Sequence, residues 1–204
     1  MKKNLRKIYD KFAQTYEMNR GLFDMSEVLD SFYRRLNVKK GRLLDLGCGA
    51  GEPFAKFFIE HDWTVTGVDF SGQMLAMAAK YVPEMKTICA DMREVNFVPD
   101  SFEAITAIYS LFHIPSRDHA ALLAKCYRWL RPQGKMLFTY ATKEYTGSDE
   151  FDGCREFLGQ QLYYSHKTPD ALRAELGNTG FQIESQDYLE IGGETFLWIT
   201  VSKR

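Results

Sequence analysis

The chain has 204 residues, 45% hydrophobic and 26% charged, with 26 Lys and Arg set against 27 Asp and Glu. That is enough for one domain with a full apolar core, and the charge balance argues against nucleic acid or an anionic membrane as partner. Cys48, Cys89, Cys126 and Cys154 lie far apart without CxxC or CxxH spacing, which speaks against a zinc site, an iron–sulfur cluster and a secreted disulfide framework, so no metal is expected. With no signal peptide or bilayer-length apolar run, a reducing cytoplasm is the expected compartment.

Residues 1–40 carry apolar groups at helical spacing, Leu5, Ile8 and Phe12, then Val28, Leu29, Phe32, Tyr33 and Leu36. Gly21 punctuates them, which predicts two helices joined near Asn19–Gly21. From Arg42 onward, strand-like and helical stretches alternate. Strands are expected at Arg42–Leu46, Trp63–Asp69, Lys86–Ala90, Phe102–Tyr109 and Lys135–Tyr140. Helices are expected at about 52–61, Gly72–Tyr81 and Ser116–Leu130, the last closed by Arg131-Pro132-Gln133-Gly134. Such alternation implies βαβ crossovers and a parallel sheet covered on both faces.

The polar stretch from about Ala141 to Gln161 breaks the rhythm, and residues 141–166 read as an insertion on the substrate side of the domain. A helix at Thr168–Leu176 follows, then Gly177-Asn178-Thr179-Gly180. Two strands, Phe181–Ile191 and Glu194–Val201, then flank Gly192-Gly193, a hairpin signal. The expected fold is α/β: a Rossmann-like, seven-stranded, mostly parallel sheet with helices on both faces and an antiparallel C-terminal hairpin. Residues 1–204 form one domain, with 1–40 as cap helices. Phe196 and Trp198 on the last strand face either a partner or a covering helix, and the oligomeric state is left open.

Chemistry concentrates in Asp45-Leu46-Gly47-Cys48-Gly49-Ala50-Gly51, between a strand and a helix. Gly47, Gly49 and Gly51 permit a tight turn that brings backbone N–H groups close to a ligand. A phosphate cradle or a dinucleotide site uses the same kind of loop. Glu52 stands where the dinucleotide GxGxxG pattern has its third glycine, and the Asp45 carboxylate suits a ligand bearing a positive amino group better than a pyrophosphate. Asp69 ends the second strand, where two carboxylate oxygens can accept from both hydroxyls of a ribose; Asp91 ends the third, placed for an exocyclic amino group. Each acid taken singly also fits a helix N-cap or a strand-end turn.

In order and spacing, LLDLGCGAGE (Leu43–Glu52), GVDFSGQML (Gly67–Leu75), CADMREV (Cys89–Val95), SFEAITAIYSLFHI (Ser101–Ile114) and CYRWLRPQGKMLFTY (Cys126–Tyr140) resemble the motifs of small-molecule class I S-adenosylmethionine (SAM)-dependent methyltransferases. The resemblance covers residues 40 to 140 and is looser at either end. It implies SAM as methyl donor and S-adenosylhomocysteine (SAH) as product. Gly47, Cys48, Gly49 and Gly51 would line the methionine half, with Asp45 near the ammonium and Tyr109 offering it a backbone carbonyl. Asp69 would hold the ribose, Phe70 and Met74 the adenine face, and Asp91 and the Met92 N–H the adenine edge. Tyr9, Tyr16 and Arg20 resemble the tyrosine–arginine pattern of helices that close over SAM.

Methyl transfer is an in-line displacement that needs alignment, water exclusion and, for some acceptors, a base. His113 and His166 are the two base candidates, each also readable as a satisfied structural histidine. Phe151, Tyr163 and Tyr164 are candidates for an aromatic substrate wall. Tyr109-Ser110-Leu111-Phe112 lacks the Asn/Asp-Pro-Pro-Tyr pattern of nucleic-acid amino methylation, so a small-molecule acceptor is expected. The competing readings are a nucleotide-cofactor oxidoreductase and a non-catalytic SAM-binding or regulatory protein on the same fold.

Overall fold

The computed structural model describes Lys7, Ile8, Asp10 and residues 23–157 and 159–204. Its centre is a seven-stranded sheet in the order β3-β2-β1-β4-β5-β9-β8. The strands are β1 (Arg42–Leu46), β2 (Thr64–Asp69), β3 (Lys86–Cys89), β4 (Phe102–Ala107), β5 (Leu130–Tyr140), β8 (Phe181–Ile191) and β9 (Glu194–Lys203). The first five run parallel, whereas β9 pairs antiparallel with both β5 and β8. The expected seven-stranded fold with its antiparallel end is therefore present, and Gly192 and Gly193 take the positive φ values, 63° and 80°, that the hairpin turn needs.

Side-chain alternation divides each central strand between two cores. Leu43 and Ala104 face a cluster formed with α1 (Ser26–Arg35), α2 (Phe54–Glu60) and α3 (Gly72–Tyr81). Leu44 and Ile105 face the opposite cluster, formed with α4 (Ser116–Trp129) and α6 (Pro169–Thr179). Strands buried on both faces read as continuous apolar runs, which is why β1 and β4 were recognisable from composition. The strand order reverses at β1, which has β2 on one side and β4 on the other. The connections that leave the carboxyl ends of β1 and β4 therefore run to opposite faces of the sheet and leave a crevice between them.

Side-chain caps set the starts of two helices. The Ser71 hydroxyl accepts the Met74 N–H at the start of α3, and the Thr168 hydroxyl accepts the Ala171 N–H ahead of Pro169 in α6. The expected end of α6 at Leu176 is corrected. The helix continues through Gly177 and Asn178 and stops only where Gly180 turns left-handed, at φ 102°. Likewise Arg131–Gly134 is not a separate turn; it is an irregularity inside β5, with the register against β4 shifting between Phe102 and Ala104.

The insertion holds a short helix, α5 (Lys143–Thr146), and a separate antiparallel hairpin of β6 (Phe151–Phe157) and β7 (Gln160–His166). Leu162–His166 is buried throughout. Phe196 and Trp198 point inward against Tyr109, at ring distances of 5.2 and 5.7 Å, so the protein's own core covers them. Of the two expected N-terminal helices, α1 is present; the first lies mostly outside the described residues. Among the described residues no helix is long and apolar enough to cross a membrane.

Candidate active site

The crevice is built outward from the end of β1. Gly47 takes φ 76° and donates its N–H to the Val68 carbonyl at 2.7 Å, which turns the chain sharply against β2. A side chain at Gly47 would put Cβ 2.3 Å from the Ser110 Cβ, so both the conformation and the space demand glycine. Ser110 in turn donates its hydroxyl to the Leu46 carbonyl at 2.7 Å, locking the ends of β1 and β4 together.

Two buried acids stand behind the loop. Asp69 accepts the Gly49 N–H at 3.0 Å on Oδ2 and the Ser71 N–H at 2.8 Å on Oδ1. Burial nevertheless raises its pKa to about 6, against the pull of those N–H groups and with a further push from Asp10. Asp45, paired in register with Thr106 of β4, accepts that hydroxyl at 2.8 Å. Burial dominates here too: its pKa is raised to about 7, Thr106 lowering it and the Asp69 charge raising it. Two neighbouring carboxyls held this high form a site that a cation would relieve.

A cavity of about 770 Å³ opens over these groups, within the roughly 300–1,000 Å³ range of small-molecule sites. Of the residues expected to hold SAM, Asp45, Gly47, Cys48, Gly49, Asp69, Met74 and Tyr109 line it. Gly51, Phe70, Asp91 and Met92 do not. Gly51 sits behind the loop against Val82 and Met85, and Met92 packs in the core beneath it. The Asp91 carboxylate accepts the Arg93 backbone N–H at 2.9 Å and two guanidinium bonds at 3.0 and 2.7 Å, and Arg93 also reaches Asp118. An acid two residues before an arginine has thus made a local turn and ion-pair network. Tyr9, Tyr16 and Arg20 lie outside the described residues.

The far end of the cavity is aromatic. Phe112 stacks on Phe196 at 4.9 Å and on Tyr164 at 5.4 Å, and all three line it, together with His113. The His113 Nδ1 lies 2.6 Å from the Tyr163 carbonyl. A carbonyl only accepts, so Nδ1 carries the proton and Nε2 is the ring's acceptor. Burial lowers the His113 pKa to about 4, keeping the ring neutral near pH 7.

His166 is placed differently. Its Nδ1 faces the Lys167 carbonyl and its Nε2 accepts the Thr146 hydroxyl at 2.7 Å, so both nitrogens serve the insertion's packing behind the cavity wall. Of the proposed aromatic wall only Tyr164 reaches the cavity. Tyr163 turns its hydroxyl to Asp152, and Phe151 stacks on His166.

Thr106, Ser110, Phe112, Glu194 and Phe196 of the site escaped the sequence reading. Thr106 had a faint signal, a hydroxyl on an otherwise apolar central strand. Ser110 and Glu194 carried none, because their roles depend on strand neighbours far away in sequence.

Residues 43–134 match the methyltransferase-domain family, and similarity to methyltransferases extends beyond that stretch. It is 28% identical over 175 residues to a ubiquinone/menaquinone biosynthesis C-methyltransferase, UbiE, of Geotalea daltonii, covering 78% of this chain and 68% of that one. It is 29% identical over 176 residues to phosphoethanolamine N-methyltransferase 1 of Arabidopsis thaliana, covering 83% of this chain but only 34% of the relative. The fold matches that of Burkholderia thailandensis 1,6-didemethyltoxoflavin-N1-methyltransferase, solved with bound 1,6-didemethyltoxoflavin and SAH. That match has a TM-score of 0.72 at 19% identity and covers 96% of this chain and 86% of the other.

Proposed function

We propose that this methyltransferase moves the methyl group of SAM onto a small-molecule acceptor by in-line displacement, leaving SAH. The observation that carries the reading is the single cavity running from the Asp45–Asp69 pair to His113 and Tyr164, because donor and acceptor must share one space. When bound, SAM supplies a methyl carbon already activated by its sulfonium. Asp69 holds the ribose hydroxyls, and Asp45 with the Tyr109 carbonyl holds the ammonium. The loop Gly47–Gly51 follows the methionine backbone, and Met74 packs on the adenine. Asp91 is committed to Arg93, which leaves the adenine edge to backbone groups.

The chain's further tasks are alignment and exclusion of water. Phe112, Tyr164 and Phe196 wall the acceptor end with apolar rings, and His113 offers Nε2 as an acceptor for a substrate N–H or O–H. Its depressed pKa makes it an orienting group and a weak base. The charge balance of the chain and the absence of an Asn/Asp-Pro-Pro-Tyr pattern support a small molecule over nucleic acid. The free thiols of Cys48, Cys89, Cys126 and Cys154 support a cytoplasmic location.

The test incubates the protein with methyl-labelled SAM and fractionated metabolite extracts. SAH formation with label in a small molecule is expected. Label confined to nucleic acid or protein would overturn the acceptor class. SAH binding without turnover in any fraction would favour the non-catalytic reading instead.

A further inference from the structure

The acceptor end of the cavity contains one carboxylate that the account above leaves unused. Glu194 opens β9 immediately after the Gly192-Gly193 turn. By the two-residue period of a strand it shares a face with Phe196 and Trp198, the face that Tyr109 covers. It is half-buried, lines the cavity, and has no ion-pair partner among the described residues. Burial raises its pKa, while the Tyr145 hydroxyl and the charge of Arg155 pull it back. Arg155, the cation whose charge reaches it, is occupied elsewhere: its guanidinium donates to the Tyr145 carbonyl and lies over the Tyr145 ring at 5.0 Å.

Two further features surround this carboxylate. The Tyr109 hydroxyl is buried with no hydrogen-bond partner and feels the Glu194 charge. A buried hydroxyl left unpaired is costly, and a ligand N–H would satisfy it. Tyr109, Phe196, Phe112 and Tyr164 also form a continuous aromatic wall, stacked from Phe196 through Phe112 to Tyr164 and edge-on at Tyr109, and the outer ring faces of such a wall attract cations. The charge of the whole lining points the same way. Asp45, Glu52, Glu60, Asp69 and Glu194 face a single cation, Lys56, which is paired with Glu52 at 3.2 Å. An anionic acceptor would meet like charge and no free basic group among these residues.

We propose that the acceptor is a basic amine, recognised as a cation by Glu194, the Tyr109 hydroxyl and the aromatic run, and that Glu194 determines this specificity. The inference rests on the methyl-transfer reading above. In the step it implies, the bound ammonium gives one proton to water. The nitrogen lone pair then forms an N–C bond to the methyl carbon as the C–S bond breaks. The electron pair stays on sulfur, and the products are an N-methylated ammonium and SAH. The methylated product is still a cation, so aromatic faces that accept the substrate also tolerate it.

The test compares phenethylamine, phenethyl alcohol and hydrocinnamate by calorimetry on the full chain, with and without saturating SAH. Phenethylamine is expected to bind about tenfold or more tighter than the alcohol, the scale of a charge-assisted bond plus a cation–π contact. Hydrocinnamate is expected not to bind. Glu194→Gln, which keeps the shape and removes the charge, is expected to abolish the preference while leaving SAH affinity unchanged. Equal or tighter binding of the alcohol or the acid, no amine binding to the SAH-bound protein, or a preference that survives in Glu194→Gln would each overturn the proposal. The wild-type ranking decides the matter even if the variant misfolds. Failure of SAH itself to bind, with a Glu194-dependent amine preference intact, would instead sink the methyl-transfer reading and leave the cation site standing.

Discussion

The backbone N–H of Gly49 donates to the Asp69 carboxylate over 3.0 Å, so the glycine loop after β1 and the acid that ends β2 form one unit. The acid shapes the loop before any ligand arrives. Asp69→Asn keeps the size of the side chain and removes its charge. The variant is expected to fold and to bind SAH more weakly by roughly 1.5–3 kcal/mol, the scale of charge-assisted hydrogen bonds. Calorimetry reads this directly, and unchanged affinity in a folded variant would remove Asp69 from the site.

Asp45 gives a pH prediction with a definite sign. Its carboxyl is raised in the folded protein to about 7 from an ordinary 3.8. The stability it contributes is therefore full below about pH 4 and is lost as pH rises through about 7, because the native state holds a proton that the unfolded chain has released. Asp45→Asn should gain stability over wild type as pH rises across this window, by on the order of 4 kcal/mol at the alkaline end. Urea unfolding at several pH values measures the difference. Binding of a ligand ammonium should run the other way in wild type, tightening as Asp45 ionises; the variant should lose that dependence.

His113 titrates with the opposite sign in an overlapping window. Burial lowers its pKa to about 4, so its contribution is full above the ordinary value of 6.5 and is lost as pH falls toward 4. Wild type minus His113→Gln isolates it from Asp45, since the amide can still donate to the Tyr163 carbonyl. The variant should show a shallower acid loss in the same unfolding series. An identical acid limb in both proteins would show that His113 protonates freely in the fold.

Two glycines make a contrasting pair. Gly47→Ala meets both a left-handed backbone and the Ser110 Cβ at 2.3 Å, and is expected to cost about 2–4 kcal/mol. Gly177 lies inside α6 with nothing near a Cβ, so Gly177→Ala should stabilise by about 0.4–1 kcal/mol. Denaturant midpoints measure both, and similar losses at the two positions would mean that the crowding at Ser110 does not govern Gly47.

The parallel core and the glycine loop were legible because their causes are local. Buried central strands such as Leu43–Leu46 are runs of apolar residues, and the Asp45-to-Gly51 loop sits at a strand-to-helix junction that any chain reading reaches. The residues that escaped are those whose meaning lies across strands. Thr106 takes its meaning from Asp45, sixty-one positions away, and Ser110 from Leu46, sixty-four away. Asp91 shows the reverse, a local partner that strand position does not announce: its carboxylate pairs with Arg93, two residues on. The β6–β7 hairpin was hidden because β7 is buried through Tyr163, Tyr164, Ser165 and His166, a mixed polar and aromatic string with no strand period. Its polar atoms are satisfied by partners such as Ile114 and Thr146, which only the folded chain supplies.

The central claim, that the Asp45–Asp69 pair and the glycine loop hold the methyl donor, is tested most directly by calorimetric titration of the wild-type protein with SAM, SAH and NAD. The account predicts saturable one-to-one binding of SAM and SAH, and none of NAD. Binding of NAD in their place, or no heat with either sulfur ligand, would contradict it.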